Sequence, residues 1–195
     1  MFICLRNRKM NWKKLLSKKR LPLLPQNMFN DPIDKRHEWQ RDQDRIIFSG
    51  AFRRLALKTQ VHPFSENDHV RTRLSHSLEV ASVGRSLGNR IGKFLSNKGT
   101  LPKTINPNEI GTLVQASCLA HDIGNPPFGH SGEHAIRKFF VLRPEIMIGL
   151  TNAEKADLLG FEGNAQGFRL LTSIERFGGM QLTASTLGTY VKYPF

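Results

Sequence analysis

Apolar residues recur along this chain mainly at three- and four-residue spacing, the period of amphipathic helices, and rarely in the alternation of strands. The stretch from Asp42 to Leu57 carries Ile46, Ile47, Phe48, Phe52, Leu55 and Ala56, broken only by Gly50. The stretch from Gln60 to Asp68, with Pro63, reads as a loop. From about Val70 to Leu95, Arg73, His76, Val80, Val83, Leu87, Ile91 and Leu95 follow helical spacing, so His76 shares a face with expected core residues. Asn97 to Thr104 reads as a linker. Asn106-Pro107-Asn108-Glu109 then has the chemistry of a helix start, with a cap, an early proline and an acid in the first turn. Ile110, Leu113, Val114 and Cys118 form its expected buried stripe. His121 follows Ile110 by eleven residues, close to three turns, and so points inward. Gly124 to Gly129 breaks that helix. Ser131 is placed to cap the next, with Ala135, Ile136, Phe139 and Phe140 packing while Arg137 and Lys138 face water. Residues 143–160 read as a connector with a short helical stretch, and Gly163 to Phe177 as a further helix. The pattern predicts an all-α domain.

Composition narrows the setting. At 195 residues and 39% hydrophobic content, the chain is long enough for one domain or most of a larger one. Residues 1–37 are basic and punctuated by Pro22, Pro25 and Pro32, and the domain pattern occupies 38–195. The two cysteines, Cys4 and Cys118, are too few for a disulfide framework, and Cys118 lies in an apolar helical pattern. A reducing cytoplasm is the simplest compartment. An Arg-rich, acid-poor start also has the composition of an organellar transit peptide. No apolar run approaches the roughly 20 residues that span a bilayer, so no membrane role is expected.

Against 16 acidic residues stand 29 Lys and Arg, a formal charge of +13. That balance favours polyanions such as nucleotides or nucleic acid. Part of it is concentrated at Arg6, Arg8, Lys9, Lys13, Lys14, Lys18, Lys19 and Arg20. A solvated basic tail accounts for that cluster more simply than a nucleic-acid arm, because no nucleic-acid-binding signature accompanies it.

The candidate chemistry lies in two segments, Arg71-Thr-Arg73-Leu-Ser-His76-Ser77 and His121-Asp122-Ile-Gly-Asn-Pro-Pro-Phe-Gly-His130-Ser-Gly-Glu133. A lone histidine on an apolar helix face is usually a hydrogen-bonded core residue. Two of them, one beside an aspartate at a helix end, reverse that expectation, because burying all three needs a common partner. His76, His121 and Asp122 are a ligand set suited to Mn²⁺, Fe²⁺, Co²⁺ or Zn²⁺. His130 and Glu133 can transfer a proton or orient a reactant from just outside the ligands. Glu133 is equally favourable in a helix first turn, so spacing alone leaves that pair open.

Taken together, these segments resemble the HD superfamily of metal-dependent phosphohydrolases, and within it the deoxyguanosine triphosphate triphosphohydrolases and related dNTP triphosphohydrolases. The resemblance runs from about Arg41 to Pro194. It includes Asp44-Arg-Ile-Ile-Phe-Ser49, Phe52-Arg-Arg-Leu55, Lys58-Thr-Gln-Val61, the two segments above, Phe161-Glu-Gly-Asn-Ala-Gln166 and Lys192-Tyr-Pro194. It implies a helical HD bundle whose metal ligands are His76, His121 and Asp122, with His130 and Glu133 in catalysis. It also implies a divalent ion (Mn²⁺, Mg²⁺, Co²⁺ or Fe²⁺), Gln60 against the deoxynucleoside, Arg73 at the α-phosphate, and Asn164, Lys192 and Tyr193 at the triphosphate. The implied reaction splits a dNTP into deoxynucleoside and tripolyphosphate, and homo-oligomers are common in such a family.

One departure matters. The family's fourth ligand is an aspartate on a later helix, beyond the Lys-Tyr-Pro segment, and this sequence ends at Phe195. Asp157 does not lie in a matching motif. The chain therefore reads as an N-terminal portion, or as a truncated paralogue with exposed apolar faces. Two other readings stand beside the first: an HD-type phosphohydrolase for another nucleotide, and a catalytically dead protein that binds nucleotide or single-stranded nucleic acid.

Overall fold

The computed structural model describes residues 10–20, 34–60, 71–173 and 179–192. Its helices run α1 (Trp12–Leu15), α2 (Glu38–Phe48), α3 (Gly50–Arg53), α4 (Arg73–Asn97), α5 (Glu109–Ala120), α6 (Gly129–Leu142), α7 (Asn152–Leu159), α8 (Gly163–Thr172) and α9 (Ala184–Tyr190). Short 3₁₀ turns cover Arg54–Leu57 and Pro144–Met147. Among the described residues there is no strand, only isolated bridges at Arg20–Thr183 and Thr59–Thr72. The fold is all-α, as the periodicity predicts. Among the described residues, no helix is long and apolar enough to cross a membrane.

Helix α5 is the centre of the bundle, packed by α4, α2 and α9. It buries Ile110, Leu113, Ala116, Leu119 and Ala120, an apolar surface wide enough to face several neighbours at once. The larger core joins Leu119 and Ile123 to Ile46, Phe52 and Leu55 on one side, and to Leu171, Leu182 and Leu187 on the other. A smaller cluster sets Leu16 and Trp39 against Ile105, Ile110 and Leu113. Each fully buried Leu or Ile here contributes about 1.5–3 kcal/mol relative to exposure.

The buried face of α4 is not the one its large apolar residues predict. Ser77, Ala81, Gly84, Gly88, Gly92 and Leu95 face inward, while Val83, Leu87, Ile91 and Phe94 are exposed. The reason is the closeness of the α4–α5 crossing. A Cβ built at Gly88 would lie 2.8 Å from the Gly111 Cα, and one at Gly92 would lie 2.0 Å from the Pro107 carbonyl oxygen. Backbones that close admit only small residues, so volume overrides hydrophobicity in choosing the face.

Other expectations shift for local reasons. Asn106 accepts from the Asn108 N–H in a turn before α5, and the helix proper begins at Glu109. Helix α6 starts at Gly129, ahead of Ser131. Its cap is Phe128, held left-handed at φ 65° with no side-chain bond. On α6 the expected packing of Ala135 and Phe139 is not seen, since both are exposed; Glu133 is the buried residue of that helix. Part of the basic tail is not solvated: Leu16 is buried, Lys18 pairs with Glu109, and Arg20 pairs with Asp42 and Glu38. Helix α8 ends at Thr172, and the rest of the expected helix to Phe177 falls outside the described residues, as does the loop after Gln60. Helix α9 has no counterpart in the periodicity. It is set by Thr183, whose side chain accepts from the Thr186 N–H.

Candidate metal centre

Three elements converge on the candidate site. Residues 58–60 pair with 71–73: the Arg73 N–H donates to the Lys58 carbonyl at 2.8 Å, and the Gln60 N–H to the Arg71 carbonyl at 2.9 Å. Thr72 then caps α4 through the Ser75 N–H, which places His76 within the first turns of that helix. From the other side, α5 ends at Ala120 and delivers His121 and Asp122 beyond its last turn.

His76, His121 and Asp122 thereby present ligand atoms that all lie within 4.8 Å of one another. The two imidazoles meet edge to face, with ring centroids 5.1 Å apart. Nδ1 of His121 lies 2.7 Å from the Cys118 carbonyl oxygen, which only accepts, so this nitrogen carries the proton and Nε2 keeps its lone pair. Nε2 is 3.5 Å from Asp122 Oδ1. Burial, with His121 close by, pushes the His76 imidazole below its ordinary pKa and favours the neutral, ligating form.

The donor set fits a divalent cation on an observation of this structure. Nδ1 of His76 is buried with no hydrogen-bond partner. A buried polar atom left unpaired costs about 1–3 kcal/mol, and a cation held between the two imidazoles and the carboxylate would give the His76 ring a bonding partner.

Asp122 is buried and held through both oxygens. Arg73 Nη1 donates to Oδ2 at 2.9 Å, and Asn125 Nδ2 donates to Oδ1 at 2.6 Å. Arg73 is itself only 3% exposed, so it is no surface cation. Lys58 Nζ donates to the Asn125 carbonyl at 2.9 Å. Burial, then the neighbouring Arg73 and Arg54, lower the Lys58 pKa.

The turn from Asn125 to Gly129 carries the chain to the second pair. His130 Nδ1 lies 2.9 Å from Glu133 Oε2, and Glu133 Oε1 accepts the Gly163 N–H at 2.8 Å. Burial alone would raise the Glu133 carboxyl, but the bonds from His130 and Gly163 outweigh it and lower the pKa. The His130 ring is exposed, and because Glu133 takes the Nδ1 proton, Nε2 faces outward and is free. Phe128, exposed at the head of this turn, carries about 1–2 kcal/mol of left-handed strain.

The remaining candidates are not drawn into this cluster. Gln60 Oε1 is buried without a partner. The Asn164 side chain bonds Glu162 while its carbonyl accepts from Tyr190, and Lys192 is exposed just past α9. Tyr193 lies outside the described residues. Asp157 is exposed on α7. Asn125, Lys58 and Gly163 were not singled out from sequence, although each stands in a quoted motif. The available signal was an amide and an ammonium beside ligands that need fixing.

The HD domain family matches residues 73–170, half of the chain. The chain belongs to the HD-domain family. The matched span takes in His76, His121, Asp122, Asn125 and the His130–Glu133 pair, while Lys58 and Gln60 precede it. A deoxyguanosinetriphosphate triphosphohydrolase-like protein of Pseudomonas aeruginosa is 54% identical over 191 residues, covering 95% of this chain and 42% of that protein. Proteins of the same description from Synechocystis and Haemophilus influenzae are 48% and 44% identical, over 95% and 83% of the chain. The HD-domain chain thus spans under half the length of these curated relatives, 43% and 35% of the latter two.

Proposed function

We propose that this chain carries the metal-binding part of a phosphohydrolase that converts deoxynucleoside triphosphates to deoxynucleoside and tripolyphosphate. The observation that carries the reading is the meeting of His76, His121 and Asp122, with ligand atoms within 4.8 Å of one another, and the His130–Glu133 pair on the adjoining turn. The relatives, deoxyguanosinetriphosphate triphosphohydrolase-like proteins, point to the same substrate class.

A divalent ion (Mn²⁺, Mg²⁺, Co²⁺ or Fe²⁺) would be held by His76, His121 and Asp122 and would supply Lewis acidity at the α-phosphate. In the reaction, water attacks the α-phosphorus, the bond from phosphorus to the sugar oxygen breaks, and that oxygen takes a proton. His130 is the group that moves the proton through its free Nε2. Glu133 orients the ring through its bond to Nδ1. Arg73 and Lys58 bring positive charge to the phosphate end. Gln60 offers its unpartnered acceptor to a hydroxyl of the deoxynucleoside, and Asn164, Lys192 and Tyr193 serve the polyphosphate. Turnover of a soluble nucleotide fits a cytoplasmic setting, and a homo-oligomer is part of this proposal.

The test is product analysis of the chain with Mn²⁺ and each dNTP in turn. Tripolyphosphate is the expected product. The described residues offer three ligands, the number with which a catalytic site leaves a position open for the reactant. His130→Ala should cut that turnover by a factor on the order of 10²–10⁴ with metal content unchanged. Orthophosphate or a nucleoside monophosphate would transfer the chain to another HD-type reaction. Nucleotide or single-strand binding with no product would make it a silent binder.

A further inference from the structure

We infer that Asn125 is a positioning residue for the metal centre, fixing the Asp122 carboxylate through a closed ring of four residues. The inference rests on the metal-binding part of the proposed function. Asp122 Oδ1 is the oxygen toward His121, 3.5 Å from its Nε2. Asn125 Nδ2 donates to that same oxygen at 2.6 Å. Because a carboxylate accepts, the partner atom must be the amide nitrogen, which settles how the Asn125 side chain is turned.

The carboxylate torsion of an aspartate is broad, so a single donor leaves it free to swing. Here Arg73 holds the opposite oxygen at 2.9 Å, and the two donors together block rotation. The ring closes through the backbone. Lys58 Nζ donates to the Asn125 carbonyl at 2.9 Å, and the Lys58 carbonyl accepts the Arg73 N–H at 2.8 Å. From Lys58 to Asn125, Asp122, Arg73 and back to Lys58, every link is a hydrogen bond, the Asn125–Asp122 link being the shortest at 2.6 Å.

Asn125 is also wedged from a third side. A Cβ at Gly163 would lie 2.3 Å from Asn125 Oδ1 and 2.7 Å from Glu133 Oε1. The bare backbone at the start of α8 thus accommodates both the amide beside Asp122 and the carboxylate beside His130. Asn125 therefore acts through Asp122, by setting where the carboxylate oxygen points.

The test is a Mn²⁺ titration of the 195-residue chain without nucleotide, following free and bound ion by electron paramagnetic resonance. Asn125→Ala should weaken binding by about 10- to 100-fold, the usual effect of losing a group that supports a ligand. The line shape of the bound ion should change with it, while circular dichroism and the melt in chelator stay as in wild type. Lys58→Met, which loosens Asn125 without touching Asp122, should weaken binding less. Wild-type affinity and line shape in Asn125→Ala would overturn the inference and leave the metal centre standing. No Mn²⁺ binding by the wild type would overturn the metal centre and this role together. If Asn125→Ala does not fold, Lys58→Met decides: reduced affinity supports the ring, and unchanged affinity overturns it.

Discussion

Asp42 and Asp122 are both buried carboxylates on or beside helices, yet their surroundings differ in kind. Asp42 Oδ2 accepts the Thr183 N–H at 3.0 Å and the Thr183 and Thr186 hydroxyls at 2.7 Å each, and Oδ1 accepts Arg20 at 2.7 Å. Those donors come from the N-terminal segment and from the start of α9, so the carboxylate ties both to α2. Nothing in that arrangement asks for a further partner. Asp122 instead stands beside two imidazoles, one with an unpartnered buried nitrogen. A carboxylate saturated by the protein serves stability, whereas one set among unsatisfied donors and acceptors is arranged for something the protein binds.

The largest effect should come from the saturated site. Asp42→Ala removes one of the acceptors of Arg20 and that of two buried hydroxyls and should cost about 3–5 kcal/mol in urea denaturation, with or without Mn²⁺. Whatever fraction of the variant stays folded should retain wild-type Mn²⁺ affinity. Loss of metal binding from folded Asp42→Ala would dissolve the distinction.

A smaller effect of opposite sign should come from the open site. His76→Leu removes an orphaned polar atom, so the chelator-treated protein should be unchanged or more stable by about 1 kcal/mol. The same variant should lose the stabilisation that Mn²⁺ confers on wild type, since a ligand stabilises only the state that binds it. Thermal melts in chelator and in Mn²⁺ measure both. A large loss of stability in chelator would mean that His76 is a structural residue after all.

Much of this was legible in the sequence, for reasons that particular residues make plain. Helix α5 shows because its buried positions are large and apolar, and His121 then follows from three turns of helix. The cluster of His76, His121 and Asp122 was legible because two polar rings at inward positions are costly without a shared partner. The α4 face was misread because Gly84, Gly88 and Gly92 pack by being small, which a hydrophobic pattern does not register. Asp42 gave no signal either: its partners Thr183 and Thr186 are 141 and 144 residues away. The Phe128 cap went unread because Ser131 has better capping chemistry, and only the packing of the turn decides against it. Roles for Asn125 and Lys58 rest on contacts that spacing does not reveal.

The smallest expected effect is a pH dependence at Glu133. Its folded pKa lies below the ordinary 4.5, so the folded state binds that proton more weakly than the unfolded chain. The stability it contributes is therefore fully present above the ordinary value and is lost as pH falls through the folded one. Glu133→Gln should be less stable than wild type near neutrality, and the gap should close in acid. A gap that widens on acidification would reverse the assigned sign.

The central claim is that His76, His121 and Asp122 hold a divalent ion, and equilibrium dialysis against Mn²⁺ followed by elemental analysis tests it most directly. Wild type should retain a single ion per chain, while His121→Ala and Asp122→Ala should retain none. Wild-type occupancy in both variants, or no ion in the wild type, would contradict the account.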